Sequence, residues 1–122
     1  CKLLTFNSPI LSVINKIKEL DTLFLEGMEL IDLKNLAVIR KIKNLSLFNS
    51  NVINEEQLIY LSKIQKLRID NTGIEDLSLC LVMKGLKQLV VDQNQVLNNR
   101  DLLLKLKDNN IEVVDYMNQG VV

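Results

Sequence analysis

Side chains able to carry out chemistry are few in this chain of 122 residues, and their types do not combine into a catalytic set. Ser, Thr and two Cys residues are possible nucleophiles, but the chain has no His, the commonest general base and metal ligand. The carboxylates of Asp70 and Asp92 are expected to approach each other across neighbouring strands, yet an open sheet has no enclosed pocket to shift their pKa values. No CxxC pair or acidic metal-binding loop is present, and the four glycines are scattered. We therefore expect no enzyme activity, no cofactor and no metal site.

The two cysteines, Cys1 and Cys80, do not indicate a redox or metal function. Cys80 lies within an apolar series and is interpreted as a small buried hydrophobic residue. A disulfide between them is disfavoured, because the repeats described below place them more than three units apart. Cys1 is either a lipid-modified residue or the boundary of a fragment. Leu3 falls one repeat period before Leu25, which leaves no tether between an anchor and the folded repeats and so disfavours the lipid.

The composition excludes several classes of partner. Lys plus Arg equals Asp plus Glu, so the formal net charge is zero, whereas a nucleic-acid-binding protein normally has a basic excess. No apolar run approaches the length of a membrane span.

The length of the chain predicts a single domain, residues 1–122. A glycosylation motif at Asn44 would place a glycan on the predicted binding face, which disfavours a eukaryotic secretory route and leaves both the bacterial surface and the cytoplasm open.

The elements that must position these side chains follow a 22-residue period. The four clear copies are Leu20-x-x-Leu23-x-Leu25-x-x-Met28, Ile42-x-x-Leu45-x-Leu47-x-x-Ser50, Ile64-x-x-Leu67-x-Ile69-x-x-Thr72 and Leu86-x-x-Leu89-x-Val91-x-x-Asn94. A fifth copy, Ile111-x-Val113-x-x-Tyr116, is expected to be in phase with them. A fixed period of this length indicates that each copy is one structural unit and that the units stack.

Within each unit, the L-x-L piece predicts a short strand and the remainder predicts a return segment. Because a return segment separates successive strands, the strands run the same way and form a parallel sheet. In the first half, apolar residues recur every three positions, as in Leu30, Leu33 and Leu36, which favours short 3₁₀ or irregular turns over one long helix.

Later return segments have helical signals. Asn54 is predicted to cap a helix with a capping box, and Asp76 to cap a second helix that runs to about Met83, with Gly85 near its end. A true α-helix that ends at residues 108–110 is predicted from the spacing of three apolar residues, Leu102, Leu103 and Leu106.

The L-x-x-L-x-L-x-x-N/S/T pattern resembles the leucine-rich repeat family, over the chain from about Leu3 to Tyr116. The 22-residue period is similar to the short-repeat subgroup, which includes bacterial internalin-like surface proteins and nuclear phosphatase-regulating repeat proteins. The resemblance implies an α/β fold: a right-handed solenoid of about five repeats, with parallel strands on the concave face and 3₁₀ turns and short helices on the convex face. In one respect the chain departs from the family. The family's turn Asn is present only as Asn94; the hydroxyls of Ser50 and Thr72 are expected to do part of its work, but Met28 cannot.

The residues between the strand leucines are predicted to point outward onto the concave face, where they form three columns. The columns are Thr22, Asn44, Lys66, Gln88 and Asn110; then Phe24, Ser46, Arg68, Val90 and Glu112; then Glu26, Phe48, Asp70, Asp92 and Val114. Outward aromatic residues on adjacent strands indicate a binding surface, so diagonal contact between Phe24 and Phe48 is expected. Cover by an N-terminal segment or another subunit also accounts for these rings. Arg68 is expected to pair with Asp70 and Asp92 on a solvated sheet.

These observations lead to two hypotheses about function. The first is a non-enzymatic module that binds another protein, of unknown identity, through the concave sheet. Its predicted contact residues are Phe24, Glu26, Ser46, Phe48, Arg68, Asp70, Val90 and Asp92. The alternative is a structural or end-capping fragment of a larger bacterial surface repeat protein. Recognisable flanking caps are absent, so self-association through the uncapped ends is also open. No nucleic-acid partner is expected.

Overall fold

The structure, a computed structural model, describes residues 3–6, 21–36 and 42–121 and shows a mixed α/β protein built on a parallel sheet. The strands are β1 (Leu3–Phe6), β2 (Thr22–Leu25), β3 (Ile31–Asp32), β4 (Asn44–Ser46), β5 (Val52–Ile53), β6 (Lys66–Arg68), β7 (Gln88–Val90) and β8 (Glu112–Val114). Six of them form one sheet in the order β1-β2-β4-β6-β7-β8, and every pairing in it is parallel. A second, two-stranded sheet joins β3 to β5.

Return segments connect the strands. Those in the described residues are the 3₁₀ helices η1 (Leu33–Leu36), η2 (Glu55–Tyr60) and η3 (Ser78–Val82) and the α-helices α1 (Gln93–Asn98) and α2 (Arg100–Asp108). The predicted 3₁₀ turn after β3 is therefore confirmed. The α-helix predicted from the spacing of Leu102, Leu103 and Leu106 is confirmed as α2, which buries Leu103 and Leu106.

The register of the central strands follows the 22-residue period. Thr22 pairs with Asn44, Asn44 with Lys66, and Lys66 with Gln88. The period fails at both ends of the sheet. Leu3 pairs with Thr22, which is a shorter spacing than the period, and Gln88 pairs with Glu112, which is a longer one.

The expectation that the fifth copy is in phase, and that Leu3 aligns with Leu25, is therefore wrong; Leu25 pairs with Phe6. The physical reason at the β8 end is the type of return segment. An α-helix rises about 1.5 Å per residue against about 2.0 Å for a 3₁₀ helix, so a return made of α1 and α2 needs more residues to span the same distance.

The core lies between the sheet and the return segments. Each central strand contributes an inward leucine, and the 3₁₀ helices contribute Leu58 and Cys80 from the other side. Cys80 is a fully buried free thiol, as predicted, and its burial raises the pKa of that thiol to about 12. The cysteine therefore acts as a packing residue, because its reactive thiolate form is suppressed. Cys1, the other cysteine of the sequence, lies outside the described residues.

Two predicted helix caps are wrong: Asn54 makes no side-chain cap, and the residue at the N-cap of η3 is Leu77 rather than Asp76. The short helix predicted to run to about Met83 is present as η3. Asn54 adopts a left-handed conformation (φ 59°) and makes no side-chain cap; its amide donates to Asp32 Oδ1 at 2.8 Å. Asp76 accepts the backbone N–H of Ser78 at 2.9 Å, in a local turn before η3. A capping box occurs at an unexpected place instead. Asp92 Oδ1 accepts the N–H of Gln95 at 2.9 Å, and Gln95 Oε1 accepts the N–H of Asp92 at 2.9 Å.

The chain turns sharply after β2, β4 and β6, and the residue at this turn is left-handed each time. Gly27, Asn49 and Asn71 have φ values of 71°, 58° and 58°, and successive members lie one repeat period apart. Gly and Asn are the residues that adopt this conformation most readily. The recurrence of Gly or Asn at this position of the repeat was not used in the sequence prediction, although it indicates left-handed turns.

The buried polar groups of the turns bond to neighbouring units. Ser50 Oγ accepts the N–H of Met28 at 3.0 Å and donates to the carbonyl of Leu25 at 3.0 Å. A neighbouring unit therefore supplies the turn at Met28 with the polar group that its own side chain lacks. Thr72 Oγ1 donates within its own turn, to the carbonyl of Ile69 at 2.6 Å.

At the next turn Asn94 occupies the repeat position of Ser50 and Thr72, but Asn94 is exposed and its neighbour Gln95 makes the buried hydrogen bonds instead. Gln95 is 4% exposed, and its amide donates to the carbonyls of Ile69 and Ile74 at 2.9 and 2.8 Å. Asn99, which occupies an apolar position of the repeat, is also buried and donates to the carbonyl of Glu75 at 2.7 Å. Within the described residues, no buried side-chain N or O lacks a hydrogen-bond partner. Polar contacts between neighbouring units thus satisfy many of the buried polar groups of these turns.

The edge of β8 is covered by a hairpin formed by residues 115–121. Asp115 Oδ1 accepts the N–H groups of Met117 and Gln119 at 2.9 and 3.0 Å, which closes the turn. Gly120 then bridges antiparallel to Val114, and the N–H of Val121 reaches the carbonyl of Val113 at 3.1 Å. The hairpin thus occupies part of the hydrogen-bonding edge of the strand.

Gly85 was predicted to lie near a helix end, but its role is a close approach between backbones rather than a left-handed turn. A Cβ at residue 85 would lie 2.8 Å from the carbonyl oxygen of Ser62 and 3.1 Å from that of Ile64. We expect Gly85→Ala to lower the free energy of unfolding by about 1–3 kcal/mol, because the backbone must shift to admit the methyl group. Urea denaturation measures this. The control is Gly120→Ala, whose Cβ meets nothing within 4 Å; equal effects of the two changes would contradict the interpretation.

The assignment of the turn to Gln95 rather than Asn94 gives a second test. Gln95→Ala leaves the carbonyls of Ile69 and Ile74 without this donor, and it also removes the Gln95 side of the capping box with Asp92. We expect a loss of about 1–3 kcal/mol in the free energy of unfolding, and almost none for Asn94→Ala. If Asn94→Ala proved the more destabilising of the two in urea denaturation, the assignment would be wrong.

Candidate functional site

The predicted site lies on the outer face of the sheet, which we define as the side of β2, β4, β6, β7 and β8 that points away from the core. Along each strand the side chains alternate, so that leucines enter the core and the residues between them lie on the outer face. In β2 the order is half-buried Thr22, buried Leu23, half-buried Phe24 and buried Leu25. The parallel register then places Phe24 beside Ser46, and Ser46 beside Arg68.

An open depression of about 540 Å³ occupies the β2-β4-β6 part of the outer face. Its lining is Thr22, Phe24, Glu26, Asn44, Leu45, Ser46, Lys66 and Arg68. Two hydrogen bonds fix polar side chains within it: Asn44 donates to Thr22 Oγ1 at 3.2 Å, and the Ser46 hydroxyl donates to Glu26 Oε2 at 2.6 Å. The depression thus presents an aromatic ring, a carboxylate and basic groups on a regular backbone.

Arg68 is held in place by two other predicted site residues. Its Nε donates to Asp70 Oδ1 at 2.8 Å and its Nη2 to Asp70 Oδ2 at 3.2 Å, while its Cζ lies 4.1 Å from the centre of the Phe48 ring. These hydrogen bonds to Asp70 hold the pKa of Arg68 above its ordinary value, and the charge of Glu26 adds to the effect. The predicted pairing of Arg68 with Asp70 is confirmed. Phe48 is covered by Arg68, and its contact with Phe24 stays a prediction.

Other predicted site residues are not presented to solvent as expected. Asp70 is 4% exposed, and Ser46 and Val90 are also buried. Val90 lies beside Arg68 on one side and the buried Val114 on the other, so neighbouring side chains cover it. The expectation of a solvent-facing column was wrong here, because large side chains on adjacent strands of a narrow sheet shield one another.

Asp92 was expected to pair with Arg68 and bonds to the backbone instead. One oxygen caps α1 through the N–H of Gln95, and the other accepts the N–H of Asn71 at 2.8 Å. A carboxylate at a helix N-terminus is stabilised by both the free N–H groups and the helix dipole. Its role is therefore to join two turns.

The columns also need correction at their β8 end. The longer spacing there places Glu112, rather than Asn110, beside Gln88 and places Val114 beside Val90. In contrast, Thr22, Asn44 and Lys66 line the depression although they were not among the predicted contact residues. The sequence could have predicted their part in the depression, because all three belong to the first outward column.

The carboxylates of the outer face are engaged in contacts within the protein. Asp70 and Asp92, the carboxylates considered for catalysis, are both engaged in hydrogen bonds. In the described part of the chain, no three His, Cys, Asp or Glu side chains converge to hold a metal ion. Neither is any helix there long and apolar enough to cross a bilayer.

Comparison with known proteins adds no assignment. No protein-family model matches the chain, and no curated protein matches it significantly.

Proposed function

We propose that this protein is a leucine-rich repeat solenoid that serves as a non-enzymatic module and binds another protein through the outer, concave face of its sheet. The 22-residue register of β2, β4, β6 and β7 supports the solenoid. Short 3₁₀ returns between parallel strands, as at η2 and η3, agree with the short-repeat subgroup that the sequence resembles. The two spacings that depart from the period belong to the outermost strand pairs of the sheet.

The observation that carries the binding proposal is the depression around Phe24. It combines an aromatic ring, Phe24, with an arginine, Arg68, and aromatic and Arg side chains are the types enriched at protein interfaces. Among the described residues the ion pair of the chain is Arg68–Asp70, so the ammonium of Lys66 is available to a partner. Because the Arg68 guanidinium and the Glu26 carboxylate are already held in position, a partner loses little entropy in ordering them.

Three of the originally predicted contact residues take a supporting part in this proposal. Asp70 orients Arg68, and Ser46 orients Glu26. The ring of Phe48 packs against the guanidinium of Arg68. Phe24, Glu26, Lys66 and Arg68 are the side chains proposed to touch the partner. Val90 and Asp92 lie outside the depression, so we do not assign them a contact.

A structural or end-capping fragment of a larger bacterial surface repeat protein is the second candidate. The hairpin of residues 115–121 favours it, because this segment occupies the edge of β8 as a terminal cap of a repeat array would. In that case the important contacts are made at the ends of the sheet, and substitutions in the depression leave them unchanged.

Affinity capture with matched variants separates these candidates. The chain and its Phe24→Ala and Lys66→Ala variants are immobilised and exposed to an extract of the organism that encodes the protein. A partner of the depression is expected to lose roughly tenfold or more in affinity with Phe24→Ala, which removes the aromatic anchor, and to bind more weakly with Lys66→Ala, which removes a charge available to it. Tyr116→Ala is the control, since Tyr116 is an equally aromatic, highly exposed residue on the C-terminal hairpin.

Circular dichroism and urea denaturation must first show that the variants fold like the parent chain. Retention of full affinity by both Phe24→Ala and Lys66→Ala would contradict the proposed surface. Loss of binding only with Tyr116→Ala would instead favour contacts at the end of the sheet.

A further inference from the structure

A stripe of exposed apolar side chains lies on the return segments, on the side of the molecule opposite the outer face of the sheet. Its members, which we call the apolar stripe, are Ile59, Tyr60, Leu81, Val82 and Leu104. Tyr60 is 54% exposed and Val82 57%. None of them takes part in the proposed binding surface.

The members of the stripe lie side by side because the return segments are packed against one another. Tyr60 and Val82 lie at the ends of η2 and η3, one repeat period apart, and η3 contacts both η2 and α2. On each segment the stripe alternates with residues that enter the core, such as Leu58 and Leu61 on either side of Ile59 and Tyr60. The stripe therefore faces away from the core, and contiguous apolar surface of this kind marks an interaction site more often than scattered residues do.

The two edges of the stripe carry opposite charge. The acidic edge, where the return segments begin, consists of Glu55, Glu56, Glu75, Asp76 and Asp101. The basic edge, which follows the stripe along each segment, consists of Lys63, Lys84, Lys105 and Lys107. Arg100 and Asp108 are the exceptions, one on each edge. None of these groups forms an ion pair within the described residues, where the ion pair present is Arg68–Asp70.

We propose that the apolar stripe binds the same stripe of a second copy of this chain, in a two-fold dimer whose axis runs along the stripe. Rotation about that axis places the acidic edge of each copy against the basic edge of the other. A two-fold axis across the stripe would place like charges together on both sides, which is unfavourable. The zero net charge of the chain means that two copies approach without net repulsion.

The first test is the dependence of molar mass on concentration, measured by analytical ultracentrifugation of the whole chain. We expect a monomer–dimer equilibrium with a dissociation constant below about 1 mM. Tyr60→Asp combined with Val82→Asp is expected to give a monomer, because it places charges inside the apolar contact. Both side chains are more than half exposed, so the fold tolerates the change, which circular dichroism checks.

Met117→Asp is the control for this test. Met117 is 60% exposed but lies on the C-terminal hairpin, so dimer formation should be unchanged. A parent chain that stays monomeric at about 1 mM overturns the proposal. Dimers that resist the stripe substitutions also overturn it, and if Met117→Asp dissociates those dimers, the contact is between sheet ends.

Charge reversal tests the direction of the axis. Reversing the basic edge (Lys63→Glu with Lys84→Glu) or the acidic edge (Glu56→Lys with Glu75→Lys) should each weaken the dimer by roughly tenfold or more, since like charges then meet. Mixing the two variants should restore association as a heterodimer, and a chain with all four changes should form homodimers again. If single-edge reversal has no effect, or the mixture does not associate, the proposed pairing is wrong. Binding at the outer face is independent of either result.

Discussion

The structure depends on one constraint: each turn buries backbone N–H and C=O groups, and a neighbouring unit must supply many of their partners. A buried backbone group without a partner costs about as much as a lost hydrogen bond, so a stack of turns is stable only if its polar groups meet in register. Ser50 illustrates this, since its hydroxyl serves both the N–H of Met28 and the carbonyl of Leu25 in the preceding unit. The amides of Gln95 and Asn99 meet the same need further along the sheet.

This constraint also determines which side chains are available for binding. Residues that were candidates for recognition by their position alone, such as Asp92, are used to join turns. Others orient their neighbours, as Asp70 orients Arg68 against the Phe48 ring. On the outer face, the proposed contact residues that remain are a smaller set around Phe24 and Lys66, and the apolar stripe lies on the return segments. The two proposed contacts are thus independent surfaces on a single framework.

Much of the fold could be predicted from the spacing of apolar residues. The 22-residue period predicted the register of β2, β4, β6 and β7, and the recurrence of apolar residues at every third position indicated the 3₁₀ turn at η1. The period could not reveal the shorter and longer spacings at the two ends of the sheet. The spacing of Leu102, Leu103 and Leu106 predicted the last α-helix, but not how many residues the whole return segment needs, so the strand of the last unit was predicted out of register.

The candidate site was predictable in position but less so in detail. Alternation along the strands identified the outer face and the residues of the depression, because it follows directly from strand geometry. The burial of Val90 and the capping role of Asp92 depend on neighbouring strands and on where α1 begins, which a single repeat pattern does not encode. The exchange of roles between Asn94 and Gln95 has the same origin. Both residues lie in the first turn of α1, where Gln95 points into the protein and Asn94 is exposed.

Amide hydrogen exchange measured by NMR tests the central claim, that side-chain hydrogen bonds between neighbouring units hold the stack together. The N–H of Met28 should be protected in the parent chain, because it donates to Ser50 Oγ. In Ser50→Ala its exchange should accelerate, while the N–H of Val91, bonded to the carbonyl of Val114, keeps its protection. Unprotected exchange at Met28 in the parent chain, or protection that survives Ser50→Ala, would contradict the account.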